Sequence, residues 1–387
     1  MEPKKSHASR GLRTAALFIA LAFVLQLIFV MFLTPQGLYH VYPYVVRLKS
    51  ERVRSDASFA EYYDLRTAFA DGEMFLLGTD MGIAESYFVI LDYIRFLKKS
   101  FDIETVALPV TPYVAEIINE YISAQAGDDL ESAEEKLYQT GVRSNEYYDF
   151  IKNLRSYNET LSPQRKLNIA GIYTETIEND IINDFVNKVI SNWTDAGEVL
   201  SRAISISKAD EFFDYFDGHT AEFERFLSEA EFSRYSEARN LYREGVYDDW
   251  KAYDKISTLG DGKVLCVLSN ERIAPRSKLY GYLDSCGKTY YAVQTKYSGC
   301  ESAVANGKKV EVNDIDLPFS SEMSVRFVSG GETASFLDFY RYVANPSSSP
   351  EKEETASALD RFATQNYFIV SDSPAVSYDT GGGTSDD

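Results

Sequence analysis

The chain has 387 residues, of which 45% are hydrophobic and 25% charged, and these proportions exclude a disordered or fibrous protein. Its length suits two or three average domains, or one large domain with insertions. The formal net charge is −20, from 39 basic and 59 acidic residues, which argues against nucleic-acid binding as the main function. Only three histidines and three cysteines occur, all scattered, so the sequence predicts neither a metal site nor a cofactor.

The N-terminus predicts a membrane anchor. Residues 15–33, from Ala15 to Leu33, are apolar except for Gln26 and would span about 28 Å as a helix, close to the thickness of a bilayer core. Four basic residues and one acid precede this span, so the positive-inside rule places residues 1–14 in the cytoplasm as a basic tail. The rest of the chain would then lie outside the plasma membrane, where it carries 35 basic and 58 acidic residues, a charge of −23.

A cleaved signal peptide is the alternative to an uncleaved anchor. Such a peptide has a shorter apolar region, followed by a cleavage site with small residues. Residues 32–36 read Phe-Leu-Thr-Pro-Gln, which is a poor cleavage site. The sequence therefore favours a single-pass signal anchor.

Strands and helices alternate beyond the anchor. Residues 34–70 are expected to form a juxtamembrane stalk that leads into a helix. Short apolar runs predict strands at 74–78, 105–108 and 167–172. Between these strands, apolar residues with helical spacing predict helices at 83–97, 114–122 and 145–157. This alternation indicates an α/β domain, over residues 71–378, with a mostly parallel sheet flanked by helices.

The second half of this domain is predicted to begin with a helical insertion. Residues 178–256 contain no convincing strand, and their aromatic residues recur at helical spacing, which is typical of packing between helices. Strand patterns return at 263–268, 289–297, 324–328 and 367–371. Residues 379–387, rich in Gly and Asp, are expected to be a disordered tail.

The three cysteines leave one alternative open. Cys266 lies in an apolar run and is expected to be a buried small hydrophobe. Cys286 and Cys300 flank the strand pattern at 289–297 and are close enough in sequence to pair. The sequence does not decide between a disulfide and two free thiols.

Several short motifs follow one another in a distinctive order. They are Phe75-Leu-Leu-Gly-Thr-Asp-Met-Gly82, Asn119-Glu-Tyr-Ile122, Tyr147-Tyr-Asp-Phe150, Asn158-Glu-Thr-Leu161 and Gly171-Ile-Tyr-Thr-Glu175. In this order and spacing they resemble the erythromycin esterase-like family, whose wider relatives include haem-uptake and Tiki-type hydrolases. The resemblance covers residues from about 71 to 190 and is weaker downstream. It implies a hydrolase whose first strand ends in Gly-Glu-x-His-Gly, with carboxylate and imidazole at the carboxyl end of a sheet strand.

This chain departs from the family at those catalytic positions. Thr79 stands at the Glu position and Met81 at the His position, while Pro109 and Tyr173 replace acids that end the second and third strands. The family histidine expected after residues 263–268 is also missing. Methionine and proline cannot act as a general base. We therefore predict a degenerate pocket, lined by Thr79, Met81, Pro109 and Tyr173, that binds a small molecule or envelope protein without hydrolysing it.

Two further hypotheses compete with this one. Three carboxylates near the lost site, Asp80, Glu175 and Glu271, are candidates for a relocated acid and base, which would make the protein an active esterase-like hydrolase. Alternatively, the helices of residues 178–256 make the protein a structural component of a cell-envelope complex. The sequence does not specify the ligand, the partner or the oligomeric state.

Overall fold

The computed structural model describes most of the chain in several stretches. They are residues 74–140, 144–172, 177–243, 263–273, 277–303, 308–314, 323–328 and 366–377, with short pieces at 26, 46–48, 50–53, 59, 62, 253 and 256–259. The chain divides into two compact units. The larger comprises Arg54–Thr295, Cys300–Val312 and Ser373–Asp387, and the smaller Met1–Val53, Lys296–Gly299 and Asn313–Asp372.

The described strands and helices are numbered in chain order. The strands are β1 (Glu51–Arg52), β2 (Met74–Thr79), β3 (Thr105–Leu108), β4 (Asn168–Gly171), β5 (Val264–Ser269), β6 (Tyr290–Ser298), β7 (Cys300–Ala303), β8 (Lys309–Val312), β9 (Ser324–Val328) and β10 (Asn366–Ser371). The helices are α1 (Ala84–Phe101), α2 (Pro112–Ser123), α3 (Asp128–Gln139), α4 (Asn145–Glu159), α5 (Ile177–Ser191), α6 (Trp193–Ala203), α7 (Ala209–Gly218), α8 (Thr220–Phe226), α9 (Glu229–Arg243) and α10 (Lys278–Ser285). Pro163–Arg165 forms a turn of 3₁₀ helix.

A parallel sheet forms the centre of the larger unit. Its strand order is β6-β2-β5-β3-β4, and β2, β3, β4, β5 and β6 all pair in parallel. All six residues of β2 are buried, as expected for a strand covered on both faces. One face packs against α10 through a cluster that includes Leu76, Cys266 and Leu279. The α/β architecture and the buried role of Cys266 are therefore as predicted.

Helices with apolar faces cover this sheet, and two of them begin with a side-chain cap. The side chain of Thr111 accepts a hydrogen bond from the N–H of Val114 at the start of α2, and Pro112 occupies the first helical position. Ser144 caps α4 in the same way, through the N–H of Tyr147. α1 ends at Asp102, which adopts a left-handed conformation with φ 55°. α1 lies in the crossover from β2 to β3, and α2 and α4 lie in the crossover from β3 to β4.

The described residues between 177 and 243 are helical apart from short connections. α5 to α9 pack around a cluster of aromatic rings, with Phe185 at its centre. The ring centroids of Phe185 lie 5.0 Å from Phe223 and 5.4 Å from Phe212. The aromatic residues with helical spacing are thus the core of this helical segment.

The smaller unit contains an antiparallel arrangement that the sequence patterns did not suggest. β9 pairs with β10 on one side and with β1 on the other, with Glu51 opposite Phe327 and Tyr367 opposite Val328. β1 lies within the segment expected to be a stalk, so two residues of that segment belong to a folded unit. β7 and β8 form a further antiparallel pair in the larger unit.

Several predictions fall on parts of the chain outside the described residues. These are the basic tail at 1–14, the anchor at 15–33 except Gln26, and the tail at 379–387. Within the described part, no helix is long and apolar enough to cross a bilayer. The three cysteines are free thiols, and of the pair left open above Cys286 is exposed and Cys300 buried.

Candidate functional site

The loop after β2 holds the positions that, by the resemblance to the erythromycin esterase-like family, correspond to that family's catalytic motif. Thr79, the last residue of β2, is 3% exposed, while Asp80 and Met81 are half-buried. The carboxylate of Asp80 accepts a hydrogen bond from the N–H of Gly82 at 2.8 Å. This contact closes a tight turn in which the Asp side chain substitutes for a backbone acceptor. The structure thus gives Asp80 a structural partner inside its own loop.

Gly82 brings this loop against other parts of the larger unit. Its carbonyl accepts hydrogen bonds from the N–H groups of Ala303, at 2.9 Å, and Val376, at 3.0 Å. A Cβ at Gly82 would lie 2.3 Å from Ser302 Oγ and 2.4 Å from the carbonyl oxygen of Ala303. Since such distances are far below van der Waals contact, only glycine allows this approach. The β7–β8 pair and the segment around Val376 therefore cover the loop.

The segment around Val376 also contacts the start of α1, through Ser373 and Pro374. The N–H of Ala84 donates to the carbonyl of Pro374 at 3.0 Å, and the N–H of Glu85 donates to Ser373 Oγ at 3.1 Å. Glu85 is half-buried, and this burial raises the pKa of its carboxyl group. Sequence reasoning missed Glu85, although an acid in the first turn of a helix that follows a sheet strand is a recognisable signal.

The turn after β5 lies beside the loop after β2, at the carboxyl edge of the parallel sheet. Because Thr79 stands opposite Ser269 in the parallel register, the loops after β2 and β5 are neighbours. The side chain of Asn270 donates to the carbonyl of Thr295 at 2.7 Å and accepts from its N–H at 3.2 Å. Gln294 donates to the carbonyl of Ile273 at 3.1 Å. Amide side chains therefore join the turn after β5 to β6, in the stretch where the resemblance implies a histidine.

Close packing continues between these two loops. A Cβ at Gly78 would lie 2.6 Å from Asn270 Oδ1 and 2.6 Å from Ile273 Cδ1. Thr295 is fully buried, and within the described structure its hydroxyl has no hydrogen-bond partner. Asn270, Ile273, Gln294 and Thr295 were not predicted as site residues. An amide directly after a buried strand was the one signal that pointed to them.

The remaining predicted site residues are spread along this edge. Pro109 is half-buried and follows β3, which β5 separates from β2. Glu271 is exposed on the turn after β5. Tyr173 and Glu175 lie outside the described residues. The structure therefore places Thr79, Asp80 and Met81 on one loop, with Glu271 on the adjacent loop.

Among the described residues, no histidine lies in the loops after β2, β3 and β5. Of the three histidines only His219 lies in the described part of the chain, where it follows α7 and its ring packs against Tyr215 at 4.2 Å. Among the described residues, no group of three or more His, Cys, Asp or Glu side chains could hold a metal ion. The chemistry on hand at this edge consists of hydroxyls, amides and carboxyls.

A polar cavity of about 350 Å³ lies between α2, α3, α5 and α9. Its charges are paired with one another: Lys136 bonds Glu120 at 2.9 Å, and Lys188 bonds Glu231. Arg234 contacts Glu116 at 3.0 Å and lies over the ring of Tyr113. Because its cations have carboxylate partners, we interpret this cavity as the joint between the aromatic helical segment and α2–α3.

Comparisons with known proteins identify the fold. No family model and no curated protein matches this sequence. Among solved structures, a protein from Bacillus cereus matches with 12% identity over 87% of this chain and 98% of its own, at a TM-score of 0.55. A succinoglycan biosynthesis protein matches with 11% identity over 88% of this chain and 98% of its own, at a TM-score of 0.53.

A mutant erythromycin esterase in its open conformation also matches, with 13% identity over 87% of this chain and 99% of its own, at a TM-score of 0.46. Likenesses at such identity speak to the fold alone. The two structures with TM-scores above 0.5 show the α/β fold that the sequence predicted, and the erythromycin esterase-like assignment stays a prediction from the motifs.

Proposed function

We propose that this protein is a membrane-anchored binding protein whose exported domain keeps an erythromycin esterase-like fold without hydrolysing esters. The observation that carries the proposal is the loop after β2. It has Thr79 and Met81 at the family's catalytic positions, and the chain's own backbone packs onto it at Gly82.

The chemistry of this edge supports binding over hydrolysis. Removing a proton from water near neutral pH needs an accessible base with a suitable pKa. The thioether of Met81 is not such a base, and Asp80 already accepts the N–H of Gly82. Glu85 has a raised pKa, so it suits the role of an acid, yet ester hydrolysis also needs the base.

The proposed location is the outer face of the plasma membrane. The apolar residues 15–33 and the preceding basic residues support a single anchor with its N-terminus in the cytoplasm. The partner would then be a small molecule or an envelope protein outside the membrane. A strongly acidic domain is repelled by an anionic lipid surface, which favours a domain standing away from the bilayer.

The full-length protein in neutral detergent tests the proposal against aryl-ester, macrolide and peptide substrates. We expect hydrolysis no faster than the buffer rate. The double variant Thr79→Glu, Met81→His restores two family residues, and we expect it to be inactive as well because Pro109 and Tyr173 are unchanged.

Two single variants make the outcome decisive. Clear hydrolysis by the wild-type protein that is lost in Asp80→Ala or in Glu85→Gln would overturn the proposal in favour of a relocated active site. If the rate is unchanged in both variants, Glu175→Gln and Glu271→Gln are assayed next, and loss of hydrolysis in either also overturns the proposal. A rate unchanged in all four variants points to a contaminating esterase, which mass spectrometry of the preparation identifies.

A further inference from the structure

A second and larger cavity lies on the helical layer of the sheet, away from the loop after β2. It has a volume of about 520 Å³ and is bounded by the second half of α1, the end of α4 and the residues just after α4. Lys98, which lines the cavity, donates to the carbonyl of Ile103 just before β3, so the cavity lies towards the amino edge of the sheet. Its volume is in the range of small-molecule sites.

The cavity concentrates positive charge in an acidic protein. Four of its lining residues are cationic: Arg95, Lys98, Lys99 and Arg165. Among the described lining residues, one carboxyl group occurs, that of Asp92, which is buried and accepts a hydrogen bond from the hydroxyl of Tyr62 at 2.6 Å. In a chain with a net charge of −20, such a cluster favours an anionic ligand.

Two of these cations form ion pairs with Asp102 beside the cavity. Lys98 is 1% exposed and bonds Asp102 at 2.9 Å. Arg165 contacts the same carboxylate oxygen through two nitrogen atoms, at 2.9 and 3.1 Å. These hydrogen bonds lower the pKa of Asp102, with that from Lys98 the largest contribution. Lys98 and Arg165 thus bind the chain's own carboxylate, and we assign them a structural role in the cavity.

Arg95 is the cation left for a ligand. It is half-buried, and its guanidinium lies over the ring of Tyr157 at 5.7 Å. Within the described structure, it makes no hydrogen bond or ion pair with another side chain. Its five N–H donors match the two oxygens of a carboxylate or phosphate, and stacking on an aromatic ring fixes the plane of the group.

The walls beside Arg95 are apolar and aromatic. Phe59, Tyr157 and Leu161 line the cavity, and the ammonium group of Lys99 lies 5.4 Å from the centre of the Phe59 ring. This second cation lies one helical turn after Arg95 on α1 and lines the same cavity. A ligand with an apolar or aromatic body would contact these rings while its anionic group meets the cations.

We infer that this cavity binds an organic anion, namely a carboxylate or phosphate monoester on an aromatic or apolar body. Arg95 holds the oxyanion bidentately, Lys99 adds a second positive charge, and Tyr157 and Phe59 contact the body. The inference deepens the proposed binding function by giving it a site and a ligand class, and this site lies apart from the degenerate loop after β2.

Calorimetric titration of the full-length protein in dodecyl maltoside with phenyl phosphate tests the inference. We expect saturable binding at submillimolar concentration, and at least tenfold weaker binding of uncharged benzyl alcohol. Arg95→Gln keeps the length and polarity of the side chain but removes the charge, so it should weaken phenyl phosphate binding about tenfold or more.

The matched control is Arg155→Gln. Arg155 also lies over a tyrosine ring, that of Tyr121 at 5.8 Å, but does not line the cavity. It should bind phenyl phosphate within twofold of the wild type. If Arg95→Gln fails to fold, the exposed Lys99→Gln provides the same comparison, with an expected loss of about threefold.

Absence of binding to the folded wild-type protein would overturn the inference, and so would binding that Arg95→Gln and Lys99→Gln leave unchanged. Either result would leave the ester-hydrolysis experiment untouched, so the two proposals fail separately. Protein reconstituted in phosphatidylcholine vesicles, with or without phosphatidic acid, distinguishes the sources of the anion, because phosphatidic acid carries a phosphate monoester. Competition by phosphatidic acid assigns the site to a lipid headgroup, and its absence assigns the site to a free organic anion.

Discussion

Gly82 determines how closely the loop after β2 is covered. Its carbonyl receives two backbone hydrogen bonds from segments more than two hundred residues away in the chain. One of the atoms that a Cβ would meet, the carbonyl oxygen of Ala303 at 2.4 Å, belongs to backbone and has little freedom to move. A side chain of any size at position 82 must therefore displace the β7–β8 pair or the loop itself.

We predict that Gly82→Ala destabilises the protein by about 2 kcal/mol, since overpacking a closed contact costs about 1–3 kcal/mol. Gly281→Ala is the matched control, because Gly281 lies inside α10 with open space where its Cβ would go. That substitution should stabilise the protein by about 0.5–1 kcal/mol. Chemical unfolding of both variants measures the difference. Equal effects of the two substitutions would mean that the loop after β2 is not closed at Gly82.

The helix α9 illustrates how a single side chain can serve both a cap and a contact between elements. The hydroxyl of Ser228 and its N–H both donate to Glu231 Oε2 at 2.7 Å, and Ser228 Oγ accepts from the N–H of Glu231. This reciprocal arrangement is a capping box. Glu231 also bonds Lys188 of α5. Burial alone would raise its pKa, but the hydrogen bonds from Lys188 and Ser228 lower it to about 2.

This lowered pKa predicts a pH dependence with a definite sign. Because the folded-state pKa of Glu231 lies below the ordinary glutamate value of 4.5, its stabilisation is present above pH 4.5 and is lost as the pH falls towards about 2. Glu231→Gln should therefore cost about 1 kcal/mol at pH 7. The difference from the wild type should shrink below pH 4.5 and vanish near pH 2.

Thermal unfolding from pH 7 to pH 2 measures this difference. The control is Glu229→Gln, which removes an exposed carboxylate from the same first turn of α9 and should change stability by only a few tenths of a kcal/mol. A gap between Glu231→Gln and the wild type that stays constant over the whole range would contradict the prediction.

Elements differ in how well local sequence predicts them. β3 was predicted with the bounds that it has, because Val106, Ala107 and Leu108 form a short apolar run buried on both faces. β1 was missed because Glu51 and Arg52 are exposed and charged, and only their pairing with β9 makes them a strand. β7 and β8 alternate small and charged residues, so no apolar run marks them.

The same limit applies to the candidate site. Thr79 and Met81 could be identified from their place in a local motif that ends a strand. The cover over Gly82 could not, since it depends on Ser302 and Val376 meeting the loop across long stretches of chain. The cavity beside Arg95 was also invisible in the sequence, because its cations come from α1 and from the turn at Arg165.

At the scale of the whole molecule, the proposed topology and the placement of the cysteines can be tested together. Cys286 is exposed, whereas Cys266 and Cys300 are buried. Burial raises the pKa of the Cys266 thiol to about 12, which suppresses the reactive thiolate. In the native protein, a maleimide reagent should therefore modify Cys286 and spare the other two thiols until the protein is unfolded.

This selectivity makes Cys286 a reporter of which side of the membrane the folded domain occupies. We predict that a membrane-impermeant maleimide labels the wild-type protein on intact spheroplasts, and that Cys286→Ser abolishes the labelling. A second variant carries Ser6→Cys in the Cys286→Ser background, which places the reactive thiol in the basic N-terminal tail. It should be labelled only after the membrane is permeabilised, because the proposed topology, based on the positive charges before residues 15–33, places that tail in the cytoplasm. The reverse pattern, with Ser6→Cys labelled on intact spheroplasts and Cys286 protected, would overturn the proposed orientation.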